Sequence, residues 1–331
     1  MKPQLLAKGD TIYLVAPSFG CTTFPYKERL DVAINVLKDQ GYNIIEGKNI
    51  YKDKGIASSN TARSRAKEIM DAFKSDAKVV ISVGGGEVMC EILEYINFDV
   101  IKNNPKWFVG FSDNTNLSYT MTTICDIETI YGVNAPTFYS LEYSSLDTLK
   151  LLTGETKLKG YKKWQYEKWD EENPTPAYHF DRRVCVISHN FNIEKGRLIG
   201  GCLDCLDGIA GTKFDHTKEY IKNHKDEGII FFFEACDYNS IGVIRALTKL
   251  KYCGWFDNVT AFMIGRSNNY YDESFGINMH DAYMHVLEGL NKPILFDVPI
   301  SHLAPTLPVI CGALAKVTYK NNNIEINYLK D

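Results

Sequence analysis

The sequence predicts an α/β protein of two domains: an N-terminal doubly wound parallel sheet, then a C-terminal α+β domain with a mixed sheet. Apolar strand-like runs alternate with helical periodicities through the first half, and parallel strands need crossover helices between them. The pattern weakens between Ser144 and Arg183, where Asn173-Pro174-Thr175-Pro176 breaks any regular element. The second half mixes helices with a terminal hairpin around Asn321-Asn322-Asn323. The expected division is an α/β domain over 1–155, a linker over 156–182 and a second domain over 183–331.

In the first half, Thr11–Pro17 reads as an apolar strand running into Ser18-Phe19-Gly20. Tyr26–Gln40 has helical spacing at Leu30, Ala33 and Leu37, with Gly41 placed as a left-handed cap. Tyr42–Ile45 is a short strand, Thr61–Phe73 an amphipathic helix, and Lys78–Val83 a β-branched strand stopping at Gly84-Gly85-Gly86. Glu87–Ile96 reads as helix. Asn103-Asn104-Pro105 then leads into the apolar run Trp107–Phe111, which ends abruptly in Ser112-Asp113-Asn114-Thr115 before a further helical pattern.

In the second half, strands are expected at Val184–Ser188 and Gly196–Ile199, with Gly200-Gly201 breaking the latter before a helical segment to Ala210. Gly228–Phe233 suits a buried strand and Ile241–Leu250 an amphipathic helix. Val259–Ile264 and Pro293–Val298 are strands separated by a helix over His280–Leu290. Val309–Tyr319 and Ile324–Tyr328 read as the two arms of the hairpin.

Composition narrows the function. A net charge of −4 with 24% charged residues gives no electrostatic footprint for a nucleic acid polymer and no basic stripe for a membrane surface. No apolar run approaches the roughly 20 residues of a membrane span. The first ten residues hold no apolar segment of signal-peptide length, so a cytoplasmic location is expected. The nine cysteines are odd in number and spread over apolar segments, as reduced core thiols would be.

Few residues are placed to carry chemistry. Ser112 lies where a strand should turn into a helix; there a hydroxyl could serve as an acyl-transfer nucleophile, or could simply cap the helix. His302 follows Val298-Pro299-Ile300-Ser301, at a strand's carboxyl end on a proline-stiffened loop, and could be a base or an ordinary loop histidine. Glu234 ends the most apolar run of the chain. An unpaired buried charge is costly, so its partner should be an imidazolium, a lysine or arginine, or a helix N-terminus. Gly84-Gly85-Gly86 could bring backbone N–H groups to a phosphate or an oxyanion. Neither a dinucleotide fingerprint nor a phosphate-loop motif accompanies it. Cys202-Leu203-Asp204-Cys205 has metal-like spacing but no second pair, and reads as two thiols on one helix face.

In this order the motifs Gly9-Asp10-Thr11, Val15-Ala16-Pro17-Ser18, Gly84–Gly86, Gly110-Phe111-Ser112-Asp113, Gly196-Arg197-Leu198-Ile199-Gly200-Gly201, Phe233-Glu234 and Pro299-Ile300-Ser301-His302 resemble the LD-carboxypeptidase family of serine peptidases. That family includes murein tetrapeptide carboxypeptidases and microcin C self-immunity peptidases. The resemblance implies a triad of Ser112, Glu234 and His302 at the domain interface. It also implies an oxyanion hole from the backbone N–H groups of Gly85 and Asp113, and no metal or organic cofactor. Substrate contacts would fall on Gly84, Gly86 and Cys202. Trp164 and Trp169 lie in a segment like the aromatic loop of the immunity branch, where a tryptophan can stack on a nucleobase; alternatively these two rings simply pack the linker onto the domains. Members often carry Asn where this chain has Cys202, and many carry Arg-Leu-Leu where it has Glu91-Ile92-Leu93; both departures bear on substrate identity. The implied partner is a murein L,D-peptide or a peptidyl-nucleotide, and the implied assembly a homodimer. The alternative is a non-catalytic protein of the same fold that binds a peptide or nucleotide.

Overall fold

The computed structural model describes residues 1–166, 178, 180–181, 185–188 and 192–330, of which 185–188 by their backbone alone. The chain divides into two compact units. The first holds Met1–Glu155 and Pro308–Cys311; the second begins at Thr156, leaves at Leu307 and resumes at Gly312.

The first unit runs β1 (Thr11–Val15), α1 (Tyr26–Asp39), β2 (Asn43–Glu46), α2 (Ala62–Lys74), β3 (Val79–Ser82), α3 (Phe98–Asn103), β4 (Trp107–Gly110), α4 (Thr115–Cys125), β5 (Thr129–Tyr131) and α5 (Tyr143–Leu152). Its sheet has the order β2-β1-β3-β4-β5 with all five strands parallel. β3 and β4 are buried at every residue, as strands covered by helices on both faces must be. α1 buries Leu30, Ala33, Ile34 and Leu37, one stripe of its surface. α4 is buried almost all round despite its threonines. Their hydroxyls are satisfied locally: Thr120 Oγ1 donates to Asn116 O at 2.6 Å and Thr123 Oγ1 to Tyr119 O at 3.0 Å.

The second unit contains β6 (Lys157–Lys159), β7 (Lys163–Trp164), β8 (Phe180–Asp181), β9 (Cys185–Ser188), β10 (Asn192–Cys202), α6 (Leu203–Ile209), α7 (Thr217–Asn223), β11 (Ile229–Glu234), α8 (Ser240–Tyr252), β12 (Val259–Gly265), α9 (Met279–Leu287) and β13 (Ile294–Val298). The chain then gives β14 (Val309–Cys311) to the first sheet and ends in β15 (Leu314–Lys320) and β16 (Asn323–Tyr328). The second sheet is mixed, in the order β6-β16-β15-β10-β11-β12-β13-β9. Its centre, β10 to β13, is parallel, and antiparallel strands flank it on both sides.

Several elements depart from the sequence reading; where the pattern weakens over 144–183 the structure forms α5 and the short strands β6, β7 and β8. Gly200-Gly201 does not break a strand: β10 runs through both to Cys202. A Cβ on Gly200 would lie 1.6 Å from Phe232 O, so the glycine permits the close approach of β11. Residues 309–319 are not one hairpin arm. Gly312, with φ 91°, divides them, and β14 pairs antiparallel with β5 while β15 pairs with β10 and β16. After the glycine turn, the expected helix is a 3₁₀ segment, Met89–Tyr95.

Candidate active site

The Ser112 turn follows from its neighbours. β4 ends at Gly110, Phe111 is still extended, and Ser112, in the left-handed region at φ 61°, opens the 3₁₀ turn Ser112–Asn114 that delivers the chain to α4. That conformation costs a non-glycine residue about 1–2 kcal/mol, so the packing around it must hold it there. Gly110 supplies part of that packing, since a Cβ on it would lie 2.5 Å from Asn114 Cβ. Asn114 Nδ2 in turn donates to Phe111 O at 2.8 Å and Gly84 O at 2.9 Å, joining the serine turn to the glycine turn. A sharp strand-to-helix turn of this kind raises a serine hydroxyl above the carboxyl end of a sheet.

Gly85 lies directly against that serine. A Cβ placed on it would be 3.1 Å from Ser112 Cβ and 3.4 Å from Ser112 Oγ. Both peptide planes of the turn are fixed. Gly84 O accepts from Asn114 Nδ2 and from Ser82 Oγ at 2.8 Å, and Gly85 O accepts the N–H of Phe19 at 3.0 Å.

In the second unit, β11 buries all six of its residues and ends on Glu234, which has no solvent exposure. His302 Nδ1 lies 2.9 Å from Glu234 Oε2. Its loop after β13 is pinned: Ser301 Oγ donates to Leu303 O at 2.9 Å, and the Ser301 N–H donates to Thr306 Oγ1 at 3.2 Å. Gly265, at the end of β12, makes the encounter possible. A Cβ there would be 1.7 Å from Ile300 O and 2.8 Å from Glu234 Cβ, so only glycine lets the histidine loop come down beside the carboxylate. Burial alone would lower the imidazole pKa, but the charge and hydrogen bond of Glu234, with Asp204 and Asp237 behind it, outweigh burial and raise it above its ordinary value.

Asp204 is a residue that the sequence reading passes over. Its carboxylate accepts the N–H groups of Cys236 at 2.9 Å, Asp237 at 3.0 Å and Tyr238 at 3.2 Å, fixing the loop that leaves Glu234. Its place inside the Cys-Leu-Asp-Cys stretch draws attention to the thiols instead.

The other expected substrate contacts are placed as follows. Cys202 sits in register with Glu234 on the adjacent strand and is 2% exposed. A hydrogen bond with Cys205 and burial push its thiol pKa far up, so it flanks the carboxylate as a neutral group. Gly84 and Gly86 are half-buried members of the glycine turn. Trp164 is 1% exposed: its Nε1 donates to Asp181 O at 2.9 Å, and its ring meets Phe180, Tyr270 and the Arg266 guanidinium, whose carbon lies 4.8 Å from the ring centroid. Of the two readings of this ring, stacking on a nucleobase or packing within the protein, these contacts are those of a packed ring. Trp169 lies outside the described residues. Among the described residues no three His, Cys, Asp or Glu side chains gather as a metal site would require, and no helix is long and apolar enough to cross a membrane.

The two sheets and the groups at their strand ends define a two-domain α/β class, with a strained serine turn on one unit and a buried carboxylate–imidazole pair on the other. Residues 12–132 match the family model for the LD-carboxypeptidase N-terminal domain and residues 195–317 that for the LD-carboxypeptidase C-terminal domain. The chain belongs to the LD-carboxypeptidase family. It is similar to the microcin C7 self-immunity protein MccF of Escherichia coli, at 27% identity over 97% of this chain and 94% of the relative. Among solved structures it resembles MccF in complex with aspartyl sulfamoyl adenosine, at a TM-score of 0.81 and 24% identity over 99% of this chain and 98% of that one. It also resembles the muramoyltetrapeptide carboxypeptidase of Oxalobacter formigenes, at a TM-score of 0.74 and 21% identity over 97% and 99%.

Proposed function

We propose that the protein is a serine carboxypeptidase that hydrolyses an amide bond near a peptide C-terminus through an acyl-enzyme, with Ser112, His302 and Glu234 as its triad. The observation that carries this is the hydrogen bond between His302 Nδ1 and the buried Glu234 carboxylate. With its proton held on Nδ1, the imidazole keeps the Nε2 lone pair for a hydroxyl proton.

In the proposed reaction His302 Nε2 takes the proton of Ser112 as Oγ attacks the carbonyl carbon. The backbone N–H groups of Gly85 and Asp113 receive the oxyanion, and the C–N bond breaks as the imidazolium gives its proton to the leaving amine. Water, deprotonated by the same nitrogen, then cleaves the ester and regenerates Ser112. The nucleophile comes from the first unit and the other two members from the second, so catalysis would require both. The family's two branches leave two substrate classes, murein L,D-peptides and peptidyl-nucleotides, the second in keeping with the structure of MccF in complex with aspartyl sulfamoyl adenosine. We place the enzyme in the cytoplasm as a homodimer acting on such small substrates, with no cofactor.

The test is a panel of L,D- and L,L-linked tetrapeptides and a peptidyl-adenylate, assayed with wild type and Ser112→Ala. Wild type should cleave at least one member, and the variant should lose about 10³-fold or more in kcat while keeping its fold. Equal activity in the two proteins would end the assignment. Tight binding of a panel member without turnover by wild type would favour a binding protein.

A further inference from the structure

Two side chains outside the proposed triad grip the same pair of segments from opposite chemical sides. One segment is the chain leaving β1, Pro17-Ser18; the other is the exit of the glycine turn, Val88-Met89. The Asp113 carboxylate, 3% exposed, accepts the hydroxyl of Ser18 and the N–H of Met89 on Oδ2, the latter at 2.8 Å, and Asn116 Nδ2 on Oδ1 at 2.9 Å. The Arg65 guanidinium, fully buried, donates through Nη1 to Pro17 O at 2.8 Å and Val88 O at 3.2 Å. Its Nε donates to Asn60 O at 2.9 Å and its Nη2 to Glu91 at 2.6 Å. The anion thus takes the donors of the two segments while the cation takes their carbonyls.

Between the gripped points lie the three glycines. Gly86, at φ 148°, is packed on Ser18 so closely that a Cβ would fall 2.2 Å from the hydroxyl oxygen, and Gly85 O is held by the N–H of Phe19. Apart from the hydroxyl of Ser82, which donates to Gly84 O from the end of β3, the side-chain ties on either side of Gly85 end on Asp113, on Arg65, on Asn114 or on the segment that the first two hold. The residue that follows the serine contributes its backbone to the turn and its side chain to the placement of the glycines opposite.

We infer that the Asp113 carboxylate and the Arg65 guanidinium are positioning residues for acyl transfer: together they clamp the glycine turn against Ser112, so that the oxyanion donors are aimed before substrate arrives. The inference rests on Ser112 being the nucleophile. A preorganised donor set needs such bracing, since its value in the transition state depends on not having to reorganise. Glu91 belongs to the same clamp, because its carboxylate accepts from Arg65 Nη2 at 2.6 Å.

Asp113→Asn is the discriminating variant. It keeps size and backbone N–H, but its NH₂ must face a donor on either side, the Met89 N–H or Asn116 Nδ2. On the cleaved panel member, kcat should fall about 10²-fold with KM little changed, and a peptide boronate that forms a tetrahedral adduct on Ser112 should bind more weakly by a similar factor. Ser18→Ala, which deletes one donor only, should show the same pattern at about tenfold. Deuterium exchange of the amides over residues 84–89 should quicken in both variants more than elsewhere in the chain, while the thermal midpoint falls by only a few degrees. Wild-type kcat and wild-type exchange in Asp113→Asn would overturn the inference, as would exchange raised evenly across the whole chain. If wild type cleaves nothing and the boronate fails to bind, the peptidase reading falls, and the exchange measurement still decides whether the clamp holds the turn.

Discussion

His302 Nδ1 and Glu234 Oε2 are 2.9 Å apart although 68 residues separate them in sequence. The carboxylate has no solvent exposure, so its interaction with the ring is little screened and fixes both the tautomer and the tilt of the imidazole. Replacing the acid with its amide tests that relation. Glu234→Gln can still accept from Nδ1 but cannot stabilise an imidazolium, and kcat should fall about 10²–10⁴-fold with little change in KM. Steady-state kinetics on the cleaved substrate measure this, and an undiminished kcat would remove Glu234 from the mechanism.

The same pair sets a pH dependence. His302 must be neutral to accept a proton, and its neighbouring carboxylates raise its pKa above the ordinary value of about 6.5. Activity as kcat/KM should therefore rise with pH through a midpoint above about 6.5, and Asp204→Asn, which removes one of those charges, should move that midpoint down. Stability runs the other way. A histidine whose pKa is raised on folding contributes fully below its unfolded value, and that contribution is lost as pH rises through the folded value. Urea midpoints of wild type and His302→Gln should differ most near pH 6 and converge in alkali.

Gly265 is where packing and the proposed catalysis meet. Gly265→Ala would drive a methyl to within 1.7 Å of Ile300 O, a backbone atom that cannot rotate aside, and to 2.8 Å of Glu234 Cβ. The histidine loop must lift, so the variant should lose about 1–3 kcal/mol of stability, as overpacking does. It should also lose more kcat than that destabilisation accounts for. Loss of stability with full activity would show that the loop's contact with Glu234 is dispensable.

What the sequence discloses here, and what it hides, has a physical division. Glu234 stands out because a carboxylate at the end of Ile229–Phe233 must have a partner, and the first-half strands stand out because parallel strands covered on both faces are uninterrupted apolar runs. The expected α/β architecture with a mixed second sheet is the one observed. Long-range relations leave no local trace. Nothing within 309–319 marks Gly312 as the point where the chain passes from one sheet to the other. A glycine pair that suits a turn equally suits a strand approached closely by its neighbour, as Gly200 is by Phe232. Arg65 reads in sequence as one charge on an amphipathic helix, and only the fold turns it inward to four partners.

Gly85→Ala would separate the proposed oxyanion role of the glycine turn from its role in folding. The added methyl would meet Ser112 Cβ at 3.1 Å and Oγ at 3.4 Å, tighter than ordinary contact but short of a collision with backbone. A few tenths of an ångström of movement relieves it, so the fold should survive with a small drop in thermal midpoint. Ser112 is a poor candidate for that movement, because it is already held at φ 61° between Gly110 and Asn114. The glycine turn must give way instead, carrying the Gly85 N–H off its aim. The expected result is a loss of about 10²-fold in kcat, comparable to removing one oxyanion donor, with ground-state binding of peptide to the Ser112→Ala form of the same variant unchanged. Were kcat to remain at the wild-type level, the N–H of Gly85 would not be an oxyanion donor, and the glycines would serve only to let the chain pass close to Ser18 and Ser112.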